Sequence, residues 1–190
     1  MAPTRRGTVW LTLLLFKQQI IYFENFSPSQ VIAGIWDPKL LLVIAVYQNQ
    51  IIAYEFLRQG ETMDADRYIR FLNETLRGAI EREGIRQPII LQDNARPHTS
   101  VLTQAYLFEE TDWELLNHPP YSLDMNPCDF DVINKIKNLL RGNAFDDLDE
   151  LTNSTIASMM GLNENQTLIG TTELVGRWQK VVDTNGAYIN

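Results

Sequence analysis

The chain has 190 residues, 45% hydrophobic and 21% charged, which excludes a disordered polymer and allows one domain with a sizeable core. Its formal charge of −8 works against nucleic-acid binding, which draws on clustered Lys and Arg, although Arg67, Arg70, Arg77, Arg82 and Arg86 share one segment. Cys128 is the single cysteine, so no internal disulfide can form and a reducing compartment is expected.

Arg5 and Arg6 precede an apolar run at 9–16, loosely like a secretory signal. Sequons at Asn25, Asn73, Asn153 and Asn165 would suit a secreted glycoprotein. However, Lys17-Gln18-Gln19 follows instead of a small-residue cleavage site, and the run is too short to cross a bilayer. A buried strand is the preferred reading, and no membrane association is expected.

Residues 20–23, 40–47 and 51–57 also read as strands, with Asn49-Gln50 suited to a tight hairpin. Thr62 is placed to cap a helix with Asp64 and Asp66 in its first turn. Tyr68, Leu72, Leu76 and Ile80 form its apolar stripe, and Gly84 ends it. A short strand at 88–92 runs into Asp93, followed by a helix over 97–108 and a strand at 113–116. Beyond Pro119-Pro120, Asn126 can cap a helix with Pro127 first and Asp129 in its opening turn. Ile133, Ile136, Leu139 and Leu140 should be its buried face, with Gly142 the stop. Helices at 146–160 and 172–182 complete an α/β chain with a mixed sheet.

Two stretches carry chemistry: Leu91-Gln92-Asp93-Asn94-Ala95-Arg96-Pro97-His98-Thr99, and His118 through Asp129. Asp93 follows the carboxyl end of a strand, where open α/β sheets bind ligands, though a turn aspartate could equally bond its own backbone. Asp129 could serve only the helix dipole. Asp124 and Asp131 flank it, one in the proline-rich loop and one facing elsewhere on the helix. His98 and His118 are the only histidines. With Cys128 they match no standard zinc spacing, so capping or loop hydrogen bonding is the expected role. No glycine-flanked turn supports a Ser or Cys nucleophile.

Together the two stretches resemble the catalytic domain of mariner-type transposases. Tyr54-Glu55-Phe56-Leu57, Gly60-Glu61-Thr62 and Ala65-Asp66-Arg67-Tyr68 are similar to the family's segment before its second acid. Leu140-Arg141-Gly142 with Phe145, and Arg177-Trp178-Gln179-Lys180 with Gly186 and Tyr188, resemble its C-terminal end. The match covers residues 39–190, and 1–38 reads as a degenerate N-terminal part of the fold.

The resemblance implies a ribonuclease-H-like α/β fold, a mixed sheet flanked by helices. It also implies three acids holding two Mg2+ or Mn2+ ions, DNA as partner, a homodimer and a nuclear location. Residue matching makes Asp93 the second acid and Asp129 the third, both catalytic and metal-binding, facing one another closely enough to share cations. Slack around residues 109–111 would absorb a departure from the family's spacing. The first acid should lie near Trp10, yet Gly7 stands there and residues 1–21 hold no carboxylate, with Glu24 and Asp37 the nearest. The family's paired helix-turn-helix domain has no counterpart, so the chain reads as truncated. Weak or absent metal-dependent DNA cleavage and strand transfer is the expectation. The alternative is a non-catalytic nucleic-acid-binding or protein-interaction domain that keeps the fold.

Overall fold

The computed structural model describes residues 20–21, 40–58, 60–143 and 145–189. The strand expected at 9–16, the neighbourhood of Gly7 and Trp10, and Glu24 and Asp37 lie outside them. Of the strand expected at 20–23, Ile20–Ile21 forms β1, antiparallel to β2 (Leu40–Tyr47). β2 pairs antiparallel with β3 (Gln50–Leu57). The turn between them uses Gln48 and Asn49, at φ 46° and 63°, one residue earlier than the expected Asn49-Gln50 pair. A two-residue hairpin whose twist suits its strands needs positive φ at its central positions, which Asn tolerates well.

The near-continuous apolar run of β2 has a simple cause: both faces of the strand are covered. Leu40, Leu42, Ile44 and Val46 join one buried cluster with Ile133, Ile136, Leu151 and Leu174. Val43 and Ala45 face a second cluster built on Tyr68, Leu72, Leu76 and Ile80. Helices therefore flank the sheet on both sides, as in a three-layer α/β fold.

The second cluster rests on α1 (Ala65–Arg70), a wider π-wound segment (Phe71–Leu76) and α2 (Arg77–Arg82), which follow without a break. All four residues of the predicted stripe are buried. Asp64 caps this helix, its carboxylate accepting the Arg67 N–H at 2.9 Å. It displaces Thr62 from the expected role because its own extended backbone opens the first turn.

β4 (Ile89–Leu91) and β5 (Glu114–Leu116) pair in parallel. The helix expected over 97–108 is two pieces, α3 (Arg96–Thr99) and α4 (Val101–Glu109), because Ser100 is extended at ψ 149°. Its hydroxyl accepts the Thr103 N–H at 3.1 Å, starting α4 afresh. A π-wound turn (Cys128–Ile133) then leads into α5 (Asn134–Leu140). Ile133, Ile136 and Leu140 are buried as expected, but Leu139 is 52% exposed. The spacing 133, 136, 140 defines the packed face, and position 139 lies on its flank. α6 (Leu148–Glu164) and α7 (Gly170–Asp183) complete that layer. No helix among the described residues is long and apolar enough to cross a membrane.

Candidate active site

Parallel pairing puts the carboxyl ends of β4 and β5 at the same edge. The two motifs leave the sheet there. Asn94 of the first donates its side-chain N–H to the backbone oxygen of His118 in the second at 2.8 Å. Leu91, two residues before Asp93, and Cys128, adjacent to Asp129, belong to the same buried cluster.

Asp93 is 12% exposed in its side chain. Its Oδ1 accepts the Ala95 N–H at 2.9 Å and lies 2.7 Å from His98 Nδ1. The turn bond to its own backbone thus exists, but one carboxylate oxygen serves both contacts. Behind it stands a buried polar frame. The Tyr68 hydroxyl donates to Gln92 Oε1 at 2.5 Å, and Gln92 and Gln104 amides donate to the His98 backbone oxygen. Burial, with the Asp93 charge nearby, pushes the Tyr68 hydroxyl well above its ordinary range, so it stays protonated as a donor.

Asp129 lies in the first turn of the π-wound segment. Asn126 Oδ1 accepts the Cys128 N–H at 3.0 Å, and its backbone oxygen accepts the Asp129 and Phe130 N–H groups. Asn126 is therefore the local organiser expected of it. Asp129 lines a cavity of about 380 Å³ with Lys137, Phe130 and Arg177. Burial pulls the Lys137 amine down, while the Asp129 charge opposes that shift.

The neighbouring acids are structural. Asp124 is buried, and its Oδ2 accepts the Ile189 N–H at 2.9 Å. Asp131 is buried too. Its Oδ2 accepts the N–H groups of Ile169 at 2.8 Å and Gly170 at 2.7 Å, and Oδ1 pairs with Lys135. Cys128 is fully buried, and burial raises its thiol well above the ordinary range, which suits neither nucleophile nor metal ligand. Burial lowers the pKa of His118, against the opposing pull of Asp93 and Asp124. Among the described residues no group of three or more His, Cys, Asp or Glu converges in a metal-binding arrangement.

The contribution of the C-terminal helix had no reading in the sequence beyond its resemblance. Arg177 donates to the backbone oxygens of Asp124 and Ile189 and lies 4.2 Å over the Phe130 ring. Trp178 donates to the Met125 oxygen at 3.1 Å. Both brace the loop and turn that carry Asp129. The arginine-rich segment is largely committed internally: Arg67 pairs with Glu55 and Glu61, Arg77 bonds Tyr106 and Glu110, and Arg82 bonds Ile52.

No family model matches the chain. It is 33% identical over 194 residues to histone-lysine N-methyltransferase SETMAR of Homo sapiens, covering 98% of this chain and 26% of that protein. It is 27% identical over 187 residues to the mariner Mos1 transposase of Drosophila mauritiana, covering 95% of this chain and 54% of that one. The chain thus spans about half, or a quarter, of the curated relatives it matches. Its structure superposes on the crystal structure of the Mos1 catalytic domain with a TM-score of 0.73 at 28% identity, over 84% of this chain and 80% of that one. The Mos1 paired-end complex with left transposon end gives 0.78 at 26% identity, over 98% and 58%. The Mos1 catalytic domain with raltegravir and Mn gives 0.74 at 28%, over 83% and 80%. The chain is therefore similar to the mariner-type transposases, over their ribonuclease-H-like catalytic domain.

Proposed function

We propose that residues 39–190 are a transposase-derived catalytic domain acting on DNA, with Asp93 and Asp129 as catalytic carboxylates and as ligands for Mg2+ or Mn2+. Residues 1–38 are then a degenerate N-terminal part of that fold. The observation that carries this reading is the joining of the two motifs at one sheet edge through the Asn94–His118 hydrogen bond.

Hard carboxylate oxygens are the donors these cations prefer, and Asp93 and Asp129 are both partly open to solvent, so the chemistry of these two donors suits such a cation. Bound there, a cation pair would stabilise attacking and leaving oxygens in an in-line displacement at phosphorus. The chain's own work is positional. His98 and Ala95 hold one carboxylate, and Asn126, Arg177 and Trp178 hold the turn bearing the other. Solved Mos1 structures include a complex with a transposon end and forms with Mn and Mg, which supports DNA and a divalent cation as partners here. The same reading implies a homodimer working in the nucleus.

Residues 1–21 contain no carboxylate. Lacking one of three charge-neutralising acids costs several kcal/mol of transition-state stabilisation, roughly hundreds-fold in rate, so cleavage and strand transfer are weak or absent. That absence also favours a second reading, a DNA-binding or protein-interaction domain that keeps the fold without the chemistry. Nicking of supercoiled plasmid with Mn2+ tests both. Weak nicking abolished by Asp93→Asn and by Asp129→Asn supports the first. DNA retention with no nicking supports the second, and nicking untouched by either substitution refutes the assigned site.

A further inference from the structure

The sequence left His98 with an unspecified capping or loop role. Its surroundings are more specific than that. The side chain is 1% exposed, and its Nδ1 lies 2.7 Å from Asp93 Oδ1 and 3.1 Å from the Asp93 backbone oxygen. Both neighbours are acceptors only, so Nδ1 carries the proton and donates. The ring cannot swing away. Tyr68 packs against it with centroids 4.6 Å apart, and its backbone is held by the Ala95 oxygen and by the Gln92 and Gln104 amides. Those contacts come from α1, from the residue just after β4 and from α4, so three parts of the fold converge on one histidine.

We propose that His98 is the positioning residue for Asp93, its Nδ1–H fixing the rotamer in which that carboxylate meets a divalent cation. This rests on the reading of Asp93 as a cation ligand. The physical reason is orientation. A partly exposed carboxylate samples several rotamers, and a short hydrogen bond from a buried, immobile donor selects one of them. Removing such an outer partner weakens metal binding by about 10–100-fold in sites of this kind.

The test is Mn2+ binding to the full chain, measured by the paramagnetic resonance signal of unbound Mn2+. Wild type should bind, and Asp93→Asn should lose binding. His98→Phe keeps a ring against Tyr68 but removes the donor, and should weaken binding by about 10–100-fold. His98→Asn, whose amide N–H can reach the same oxygen, should restore most of it. Wild-type affinity in His98→Phe, with binding lost in Asp93→Asn, overturns the positioning role and leaves the site intact. Equal weakening in the Phe and Asn variants, both folded, also overturns it. No binding by wild type, or unchanged binding in Asp93→Asn, overturns the site and this inference together. Imidazole nitrogen resonances of the wild-type protein decide independently of variant folding. Nδ1 should be protonated and should shift on adding Mg2+, and a bare Nδ1 or an unmoved resonance refutes the proposal.

Discussion

Asp131 and Gly170 lock the turn bearing Asp129 to the start of α7. The Asp131 carboxylate accepts the Gly170 N–H at 2.7 Å, and a Cβ on Gly170 would lie 2.8 Å from the Cβ of Pro127 and 3.0 Å from that of Asp131. Glycine is required here by close approach. The contact also explains why an acid two residues from Asp129 is a poor ligand candidate: its oxygens already hold a helix N-terminus and Lys135.

Asp131→Ala should leave the Ile169 and Gly170 N–H groups without their acceptor and destabilise the fold by about 2–4 kcal/mol. Gly170→Ala should cost about 1–3 kcal/mol through overpacking against Pro127. Urea denaturation measures both. A midpoint unchanged in either variant contradicts the lock.

Asn49 should matter more than a hairpin-tip residue usually does. Its Oδ1 accepts the Thr171 N–H at 3.0 Å and the Thr172 N–H at 3.3 Å, which ties the β2–β3 turn to the first turn of α7. Asn49→Gly keeps the positive φ while deleting that cap, and should cost about 0.5–2 kcal/mol. Asn49→Ala should cost more, since the left-handed backbone then disfavours the new residue. Thermal melts that rank Ala as the milder change would refute this account.

Tyr68→Phe tests the frame behind the first aspartate. Removing the hydroxyl strands the buried Gln92 Oε1 and should cost about 1–3 kcal/mol. Amide exchange of residues 92–95 should quicken in the variant. Unchanged protection there would show that Gln92 finds its bond elsewhere.

His118 sets a pH dependence. Its folded-state pKa is lowered from 6.5, first by burial, so the unfolded chain binds the proton more readily than the folded one. Its contribution to stability is therefore complete above pH 6.5 and is lost as pH falls below it, toward the depressed folded value. His118→Gln should flatten the stability profile across that window. An identical acid-side slope in wild type and variant would show that other groups dominate.

Much of this was legible along the chain. The stripe Tyr68, Leu72, Leu76, Ile80 and the run in β2 report burial directly, because helix and strand periods place those residues before any tertiary contact forms. Asn126 was recognisable as an organiser because its bonds reach only two to four residues ahead. The misreadings were equally local. Asp64 outcompeted Thr62 as a cap, Ser100 divided a helix that its flanking residues would have continued, and Leu139 sat one step off the packed face.

By itself the sequence determined the order of elements, the two aspartate motifs and the family they resemble, since each depends on residues near one another in the chain. Only the tertiary structure showed that Asp93 and Asp129 stay partly open to solvent while Asp124 and Asp131 are buried. Their backbone partners lie 65 and 38 residues away, at Ile189 and Ile169. The same holds for the sheet edge where Asn94 meets His118, 24 residues apart and joined because β4 and β5 pair in parallel. No local period encodes contacts over such separations, and folding decides which carboxylates are consumed in holding the chain together.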